Sequence, residues 1–177
     1  QLQNPQGAIS GFSKAIRLAP EHAGLYYHRA LVYSSVGRLG RALTDYSRVI
    51  RFDPQSYRAL INRAVIYIAF GDYDFAIKDL TSAIKIGRNL AHCYCCRGRA
   101  HLKRGKYNLA IADYTESIRR NALNPIAFYD RAGAYREIGE LGRAKDDFLQ
   151  AKSLESSSRV YKESNGHGIL RDIHNEL

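Results

Sequence analysis

The chain repeats one pattern of residues every 34 positions, and this period restricts the fold more than any other feature of the sequence. A glycine recurs at this interval, an alanine follows it by five residues, and a bulky residue follows the alanine by four. A ring side chain precedes the glycine by four residues, with a small residue three positions before the ring and a large one seven before it. The columns are Gly37, Gly71, Gly105 and Gly139; Ala42, Ala76, Ala110 and Ala144; Tyr46, Leu80, Tyr114 and Phe148; Tyr33, Tyr67, His101 and Tyr135; Ala30, Ala64, Gly98 and Ala132; and Tyr26, Leu60, Tyr94 and Phe128. Their regular recurrence indicates a tandem structural repeat.

Each unit has the pattern of a helical hairpin. The large, small and ring residues recur at spacings of four and three, which is the apolar stripe of an amphipathic helix. The glycine permits the backbone turn that ends this helix, and the alanine allows a second helix to pack closely against the first. One hairpin cannot bury its apolar face alone, so neighbouring hairpins must stack. The sequence therefore predicts an all-α fold built as a linear array.

This arrangement resembles the tetratricopeptide repeat (TPR), whose signature is aromatic, small, aromatic, glycine, alanine, aromatic, alanine and proline. Four full repeats run 23–56, 57–90, 91–124 and 125–158, and Ala8, Phe12, Ala15 and Pro20 match the second half of a repeat within 1–22. The resemblance implies a right-handed superhelix of stacked antiparallel helix pairs. Because the first helix of the earliest repeat is missing, we expect the chain to be cut from a longer array. The closing proline remains only at Pro20 and Pro54, and His101 replaces a tyrosine.

Residues 159–177 do not continue the repeat. Ile169, Leu170, Ile173 and Leu177 can form one apolar stripe on a short helix after the sequence Gly166-His167-Gly168. We expect this segment to cap the end of the stack, which is a common need in solenoids. The alternative is a flexible tail.

An arginine–aspartate column accompanies the repeat. Arginine stands immediately before each small residue and aspartate follows it by sixteen: Arg29 and Asp45, Arg63 and Asp79, Arg97 and Asp113, Arg131 and Asp147. The family usually has leucine at the arginine position. One interpretation is a ladder of arginines that binds phosphates or carboxylates. The strict co-occurrence of both residues favours the other, a structural column of charge-assisted hydrogen bonds between helices.

The resemblance also implies where a partner would lie. In the family, the first helices of the repeats line a concave groove that holds a peptide or helix of another protein. Carried onto this chain, the groove residues are Tyr27, His28, Leu31, Arg58, Ile61, Asn62, Val65, His92, Cys95, Cys96, Arg99, Tyr129 and Asp130. Their mixture of aromatic, aliphatic and isolated polar groups suits an extended peptide or a partner helix. We therefore expect a non-catalytic protein-binding scaffold.

One specialised branch of the family grips the C-terminal carboxylate of a chaperone with lysine, asparagine and arginine side chains. Asn62 occupies the central asparagine position, but Tyr27 and Leu31 stand at the preceding lysine and asparagine positions. The basic pair would fall at His92 and Cys96, which cannot neutralise a carboxylate. These residues therefore argue against a chaperone carboxylate as the ligand.

The net charge of +10 raises the alternative of nucleic-acid binding. The four full repeats carry +3, +2, +5 and −1, and the most basic stretches are residues 103–106 and Arg119-Arg120. These lie away from most of the expected groove, and no nucleic-acid-binding motif is visible. An accessory RNA-binding surface thus remains a second hypothesis. Self-association through an exposed end of the array is a third.

The three cysteines, Cys93, Cys95 and Cys96, lie within four residues of one another, so disulfides between them cannot crosslink distant segments of the fold. This favours a reducing compartment, the cytosol or nucleus. His92 and Cys96 are one helical turn apart, but no second ligand cluster accompanies them, so we predict no metal and no other cofactor. No phosphate-binding glycine loop, nucleophile elbow or zinc-protease motif is present, and we predict no enzymatic activity. There is no apolar run of membrane-spanning length and no signal-peptide pattern.

Overall fold

The computed structural model describes the backbone of residues 4–87 and 90–174, and side chains in these ranges as far as residue 157. Across them the chain is helical, as predicted. The helices are α1 (Pro5–Leu18), α2 (Ala23–Ser35), α3 (Leu39–Phe52), α4 (Tyr57–Phe70), α5 (Tyr73–Ile86), α6 (Ala91–Lys103), α7 (Tyr107–Arg120), α8 (Pro125–Glu137) and α9 (Leu141–His174). No helix of the described chain is long and apolar enough to cross a bilayer.

Each helix packs against the helices before and after it in the chain. The pairs α2/α3, α4/α5, α6/α7 and α8/α9 form the four full repeats, while α1 packs on α2 as the second helix of an incomplete one. Contacts also join α4 to α6 and α6 to α8, so successive first helices lie side by side. This sequential packing produces a linear array with its core distributed along it.

The repeated glycines make the turns between paired helices. Gly37, Gly71, Gly105 and Gly139 have φ between 68° and 81°, the left-handed region that glycine adopts without steric cost. In the second repeat, the amide of Asp72 donates to the carbonyl of Tyr67 at 2.9 Å, which satisfies one of the free carbonyls at the end of α4. The glycine column predicted from sequence is therefore required by backbone conformation.

Replacing Gly71 by alanine is expected to lower the free energy of unfolding by about 1 kcal/mol, because an added Cβ is unfavourable at positive φ. No neighbouring atom lies within 4 Å of that Cβ, so the cost comes from the backbone alone. The matched control is Gly11→Ala, in the middle of α1 and also in open space, which should stabilise by up to about 1 kcal/mol. Urea denaturation measures both changes in stability. Equal effects of the two substitutions would contradict the view that the positive φ of Gly71 requires glycine.

Small residues let the paired helices approach closely. Ala42, Ala76 and Ala110 on the second helices are fully buried, as are Ala30 and Ala64 on the first. At Gly98, an added Cβ would lie 2.9 Å from Cε1 of Tyr114 and 3.2 Å from the carbonyl oxygen of Ala110. The third repeat therefore needs glycine where the other repeats carry alanine.

The last repeat keeps the same residues but leaves one face uncovered. Tyr46, Leu80 and Tyr114 are at most 1% exposed because the next helix pair covers them, whereas Phe148 in the same column is 45% exposed. Neighbouring Leu149 is 54% exposed. In the part of the chain with described side chains, no helix packs over this face of α9.

The backbone of α9 continues as one helix through Gly166-His167-Gly168 to His174. The sequence predicted a break at these residues followed by a separate short helix, so the structure differs here. Helical hydrogen bonding can continue through glycine, which weakens a helix without preventing it. The apolar side chains of the predicted cap lie outside the described residues, and capping of the stack stays a prediction.

Candidate interaction surface

The first helices α2, α4, α6 and α8 carry the residues that sequence reasoning assigned to partner binding. Leu31 on α2 and Val65 on α4 are 39% and 44% exposed and occupy the same position in consecutive repeats. Ile61 is half-buried, and His28, Arg58 and His92 are exposed. Because a hydrogen bond joins α2 to α4 and α4 is in contact with α6, these side chains belong to one continuous side of the array.

Tyr27 and Asn62 connect the first two of these helices. The side-chain amide of Asn62 donates to the hydroxyl of Tyr27 at 3.4 Å. The Tyr27 ring also packs edge-on against Tyr46, with 6.0 Å between ring centroids, and against His28 at 5.7 Å. Tyr27 is therefore held in place from three sides, with the remainder of its half-buried side chain accessible.

Arg99 and Asp130 form an ion pair between α6 and α8. Arg99 Nη2 donates to Asp130 Oδ2 at 2.8 Å, with 42% and 25% of the two side chains exposed. This hydrogen bond is the main cause of a raised pKa for Arg99. A ligand that uses either charge must therefore compete with the internal pair.

The cysteines pack in the core and are not part of the candidate surface. Cys95 and Cys96 were expected to line the groove, but their exposed fractions are only 4% and 5%. Cys93 is fully buried. Cys93 and Cys96 belong to the core between α4, α5 and α6, while Cys95 packs in the core formed with α7 and α8. The Sγ of Cys96 lies 3.4 Å from His92 Nε2.

Burial also suppresses the acidity of these thiols. It raises the pKa of Cys93 and of Cys95 to about 12 and raises that of Cys96 as well. Reactive cysteines need a lowered pKa. Among the described residues, no three His, Cys, Asp or Glu side chains are grouped to hold a metal ion.

Tyr129 marks the other end of the surface. Its hydroxyl donates to Glu155 Oε2 at 2.9 Å, and its ring packs edge-on against Phe148 at 5.5 Å between centroids. Tyr129, Phe148 and Lys145 line a cleft of about 440 Å³ between α8 and α9. This cleft adjoins the uncovered face of the last repeat.

The arginine–aspartate column lies inside the array. Arg63 Nε and Nη2 donate to the two carboxylate oxygens of Asp79 at 2.7 and 2.8 Å, a bidentate pair between α4 and α5. The same geometry recurs at Arg29–Asp45, Arg97–Asp113 and Arg131–Asp147, with distances from 2.7 to 2.9 Å. The hydrogen bond to aspartate is the largest cause of the raised pKa of each arginine. With only 16–19% of each arginine side chain exposed, the column offers little to an external ligand.

A hydroxyl column completes this network and was missed in the sequence. Arg63 Nη1 donates to Ser47 Oγ at 3.0 Å, so the arginine also reaches the second helix of the preceding repeat. The corresponding acceptors are Ser13, Thr81 and Thr115, each sixteen residues before its arginine. The 34-residue spacing of these hydroxyls was the available signal. Each arginine thus joins three helices and links adjacent repeats.

His101 modifies the network in the third repeat. Its Nε2 lies 3.8 Å from Asp113 Oδ2, while its buried Nδ1 has no hydrogen-bond partner among the described residues. Burial is the main cause of its lowered pKa, partly opposed by Asp113. Burial therefore disfavours the protonated form of the histidine that stands at the tyrosine position.

Sequence comparison identifies the repeat. The tetratricopeptide-repeat profile matches residues 1–56, 29–91 and 97–157, which together span most of the chain. The chain is a tetratricopeptide-repeat protein. The TPR assignment made from the glycine, alanine and ring columns is thus confirmed. A comparison with curated protein sequences finds no significant match.

Solved structures show the same TPR fold. The chain is similar to a crystal structure of MamA, with a TM-score of 0.86 and 21% identity over 89% of this chain and 92% of that one. MamA from Desulfovibrio magneticus RS-1 gives 0.83 and 15% identity over 88% of each chain. The APC/C hetero-tetramer Cut9-Hcn1 gives 0.72 and 21% identity, covering 86% of this chain and 29% of that one. These likenesses confirm the predicted right-handed superhelix of stacked helix pairs.

TPR proteins are generally non-catalytic scaffolds that bind other proteins. Apart from Asn62, the side chains that the carboxylate-gripping branch requires are absent from this TPR array at the corresponding positions. Tyr27 is engaged with Asn62, and Cys96 is buried beside His92. The exposed character of the surface is instead aliphatic and aromatic at α2 and α4, and ionic at α6 and α8.

Proposed function

We propose that the side of the array formed by the first helices binds a peptide or helix of a partner protein. The observation that supports this most directly is the pair Leu31 and Val65, aliphatic side chains that remain exposed at equivalent positions of adjacent repeats. Aliphatic and aromatic groups that remain exposed side by side are typical of interaction surfaces. Tyr27, held by Asn62 and Tyr46, supplies a positioned aromatic group one helical turn before Leu31 on α2.

The scaffold contributes by rigidity. Tyr27 is held by its hydrogen bond to α4, and Arg99 is joined to Asp130 on α8, so the surface is organised before a partner arrives. A preformed surface avoids the cost of ordering its own side chains, which leaves most of the ordering entropy to the partner segment. An extended or helical segment that places apolar side chains against Leu31 and Val65 fits this arrangement.

Photo-crosslinking tests the proposal. A benzophenone amino acid at position 65 should crosslink a protein partner from cell lysate, whereas the same group at exposed position 78 on α5 should not. Leu31→Asp/Val65→Asp should then weaken binding of the identified partner by at least about tenfold, the equivalent of ~1.4 kcal/mol. The matched control, Leu109→Asp/Leu123→Asp, makes the same change at two exposed leucines on α7 and the turn after it.

The result is informative in either direction. Retained binding in the Leu31/Val65 variant, with helicity unchanged by circular dichroism, would show that the partner uses another surface. Equal loss in both double variants would point to a general effect of added negative charge. Crosslinks to RNA, or to a second copy of the chain, would support the other two hypotheses instead.

A further inference from the structure

A basic residue recurs in the last turn of successive second helices. Arg17, Arg51, Lys85 and Arg119 stand 34 residues apart in the last turns of α1, α3, α5 and α7, and all are exposed. Cations at helix C-termini interact favourably with the helix dipole, which explains why the column recurs. The repeats differ in whether a carboxylate accompanies the cation.

In the third repeat, a glutamate occupies the site beside this cation. Arg119 donates two hydrogen bonds of 2.8 Å to the Glu116 carboxylate, and Arg120 Nε donates a third at 2.7 Å. The Arg120 guanidinium also lies over the Tyr94 ring, 4.8 Å from its centroid. The interactions of Glu116 with the two arginines, led by the hydrogen bond from Arg119, lower the pKa of Glu116 to about 2.

In the first repeat, the charge at the equivalent position is reversed. Arg48 stands where the third repeat has Glu116, two repeats later, and Arg51 corresponds to Arg119. Both arginines are exposed, and neither has an ion-pair partner within 4.0 Å among the residues with described side chains. Tyr26 corresponds to Tyr94, so the aromatic wall of the site is retained.

These arginines border a cleft of about 480 Å³ formed by α1, α2 and α3. Ile16, Tyr26 and Phe52 supply its apolar wall, while Arg48 and Arg51 supply cations. The volume falls within the range of clefts that bind small groups or side chains. The cleft therefore combines aromatic surface with two arginines that carry no internal carboxylate.

Two acidic residues also line the cleft, and neither cancels the arginines. The Asp45 carboxylate is already bound bidentately by Arg29, at 2.7 and 2.8 Å. Glu21, in the turn between α1 and α2, is exposed and makes no ion pair within 4.0 Å among the described residues. Because the Arg29–Asp45 pair is neutral, Arg48 and Arg51 outweigh Glu21 and the cleft keeps a positive charge.

We propose that this cleft is a second binding site, which takes the carboxylate side chains of an acidic peptide segment from a partner protein. Arg48 and Arg51 bind the carboxylates, and Tyr26 and Phe52 contact an adjoining apolar side chain. Two repeats later, Glu116 itself stands at the Arg48 position and its carboxylate accepts hydrogen bonds from Arg119 and Arg120, so arginines on this face of the array already bind a polypeptide carboxylate, which favours such a ligand over a nucleic-acid phosphate. Lys14 and Arg17 stand at these positions in α1, but the second repeat has Ser82 and Lys85 and the third has Glu116 and Arg119. The basic surface therefore ends after α3 and is not the continuous track that nucleic acid uses.

Fluorescence polarisation tests the proposal with a fluorescein-labelled pentapeptide in which two glutamates flank a central phenylalanine on each side. Binding at low salt should weaken at least about tenfold in Arg48→Glu/Arg51→Glu, because both guanidinium donors are lost. The matched control is Arg38→Glu/Arg41→Glu, the same charge change at the other end of α3, which should weaken binding less than about threefold through the smaller net charge. A glutamine version of the peptide should bind at least about tenfold more weakly to the native chain.

A third variant tests the comparison between repeats. Glu116→Gln removes the internal carboxylate and should free Arg119 and Arg120, raising the number of peptides bound per chain from one toward two. An unchanged stoichiometry would contradict the view that Glu116 occupies an equivalent site. Equal weakening in both α3 double variants, or tighter binding of a uridine pentanucleotide that the Arg48/Arg51 variant abolishes, would overturn the proposal.

Discussion

Asp79→Ala is expected to lower the free energy of unfolding by about 3 kcal/mol, one of the two largest effects that we predict for a single substitution in this chain. Asp79 accepts two hydrogen bonds from Arg63, and its side chain is only 6% exposed. Removing the carboxylate leaves a guanidinium that is 18% exposed without its counter-charge. The penalty is mainly that of an unpaired buried cation, and urea denaturation with linear extrapolation measures it.

The control is the double variant Arg63→Leu/Asp79→Ala. Leucine is the usual TPR residue at the arginine position, and replacing both members of a buried pair by apolar groups often costs little. We therefore expect the double variant to recover much of the stability lost in Asp79→Ala. If the double variant is as unstable as the sum of its two single variants, Arg63 and Asp79 do not act as a pair.

The loss of stability in Asp79→Ala should also be confined to one part of the array. Because each TPR repeat contacts only its neighbours, hydrogen exchange should accelerate most in α4 and α5 and in the helices beside them. Arg63 also donates to Ser47 on α3, so the disturbance should extend into the first repeat. A uniform increase in hydrogen exchange along the array would argue that the hydrogen bonds of Arg63 do not stabilise the packing between these particular repeats.

Leu80→Ala is expected to cost about 3 kcal/mol, whereas Phe148→Ala should cost about 1 kcal/mol or less, although both residues occupy the same column of the repeat. Leu80 is fully buried between α4, α5 and α6, and its truncation leaves a cavity. Phe148 is 45% exposed, so alanine there removes surface that is partly in water already. Denaturation of the two variants under one set of conditions gives the comparison.

The outcome distinguishes position in the array from residue type. Phenylalanine is larger than leucine, so a scale based on the residue alone predicts the opposite order. A cost of about 3 kcal/mol for Phe148→Ala would mean that something covers the last repeat in solution. The predicted cap formed by residues 159–177 is then the first candidate, and deletion of those residues should remove the added cost.

Much of the scaffold could be predicted because its information is local and periodic. The glycine column requires positive φ at each turn, and the sixteen-residue spacing brings an arginine and an aspartate to facing sides of one hairpin. Such contacts lie within a repeat or between adjacent repeats, so their spacing recurs along the sequence. The hydroxyls that accept hydrogen bonds from the four arginines also recur every 34 residues, so the same spacing could have identified them.

The candidate surface could be predicted less well because it depends on which side chains meet across helices. Cys96 has the spacing of a groove residue, yet it packs into the core and its thiol is withdrawn from ligands. Arg99 is not matched to Asp130 by any recurring interval, and their pairing follows from the contact between α6 and α8. The cleft at Arg48 and Arg51 exists only where α1, α2 and α3 pack together, and no spacing in the sequence indicates it.

The sequence by itself determined the repeat length, the helical hairpin, the TPR family and the residues of the arginine–aspartate column, because each is encoded by spacing along the chain. The tertiary structure alone decided which members of a column are covered and which charges are already paired. Phe148 and Leu80 are equivalent in the repeat, but only Leu80 has another helix pair above it. Burial and ion pairing depend on what the neighbouring repeat supplies, and that is a property of the stacked array.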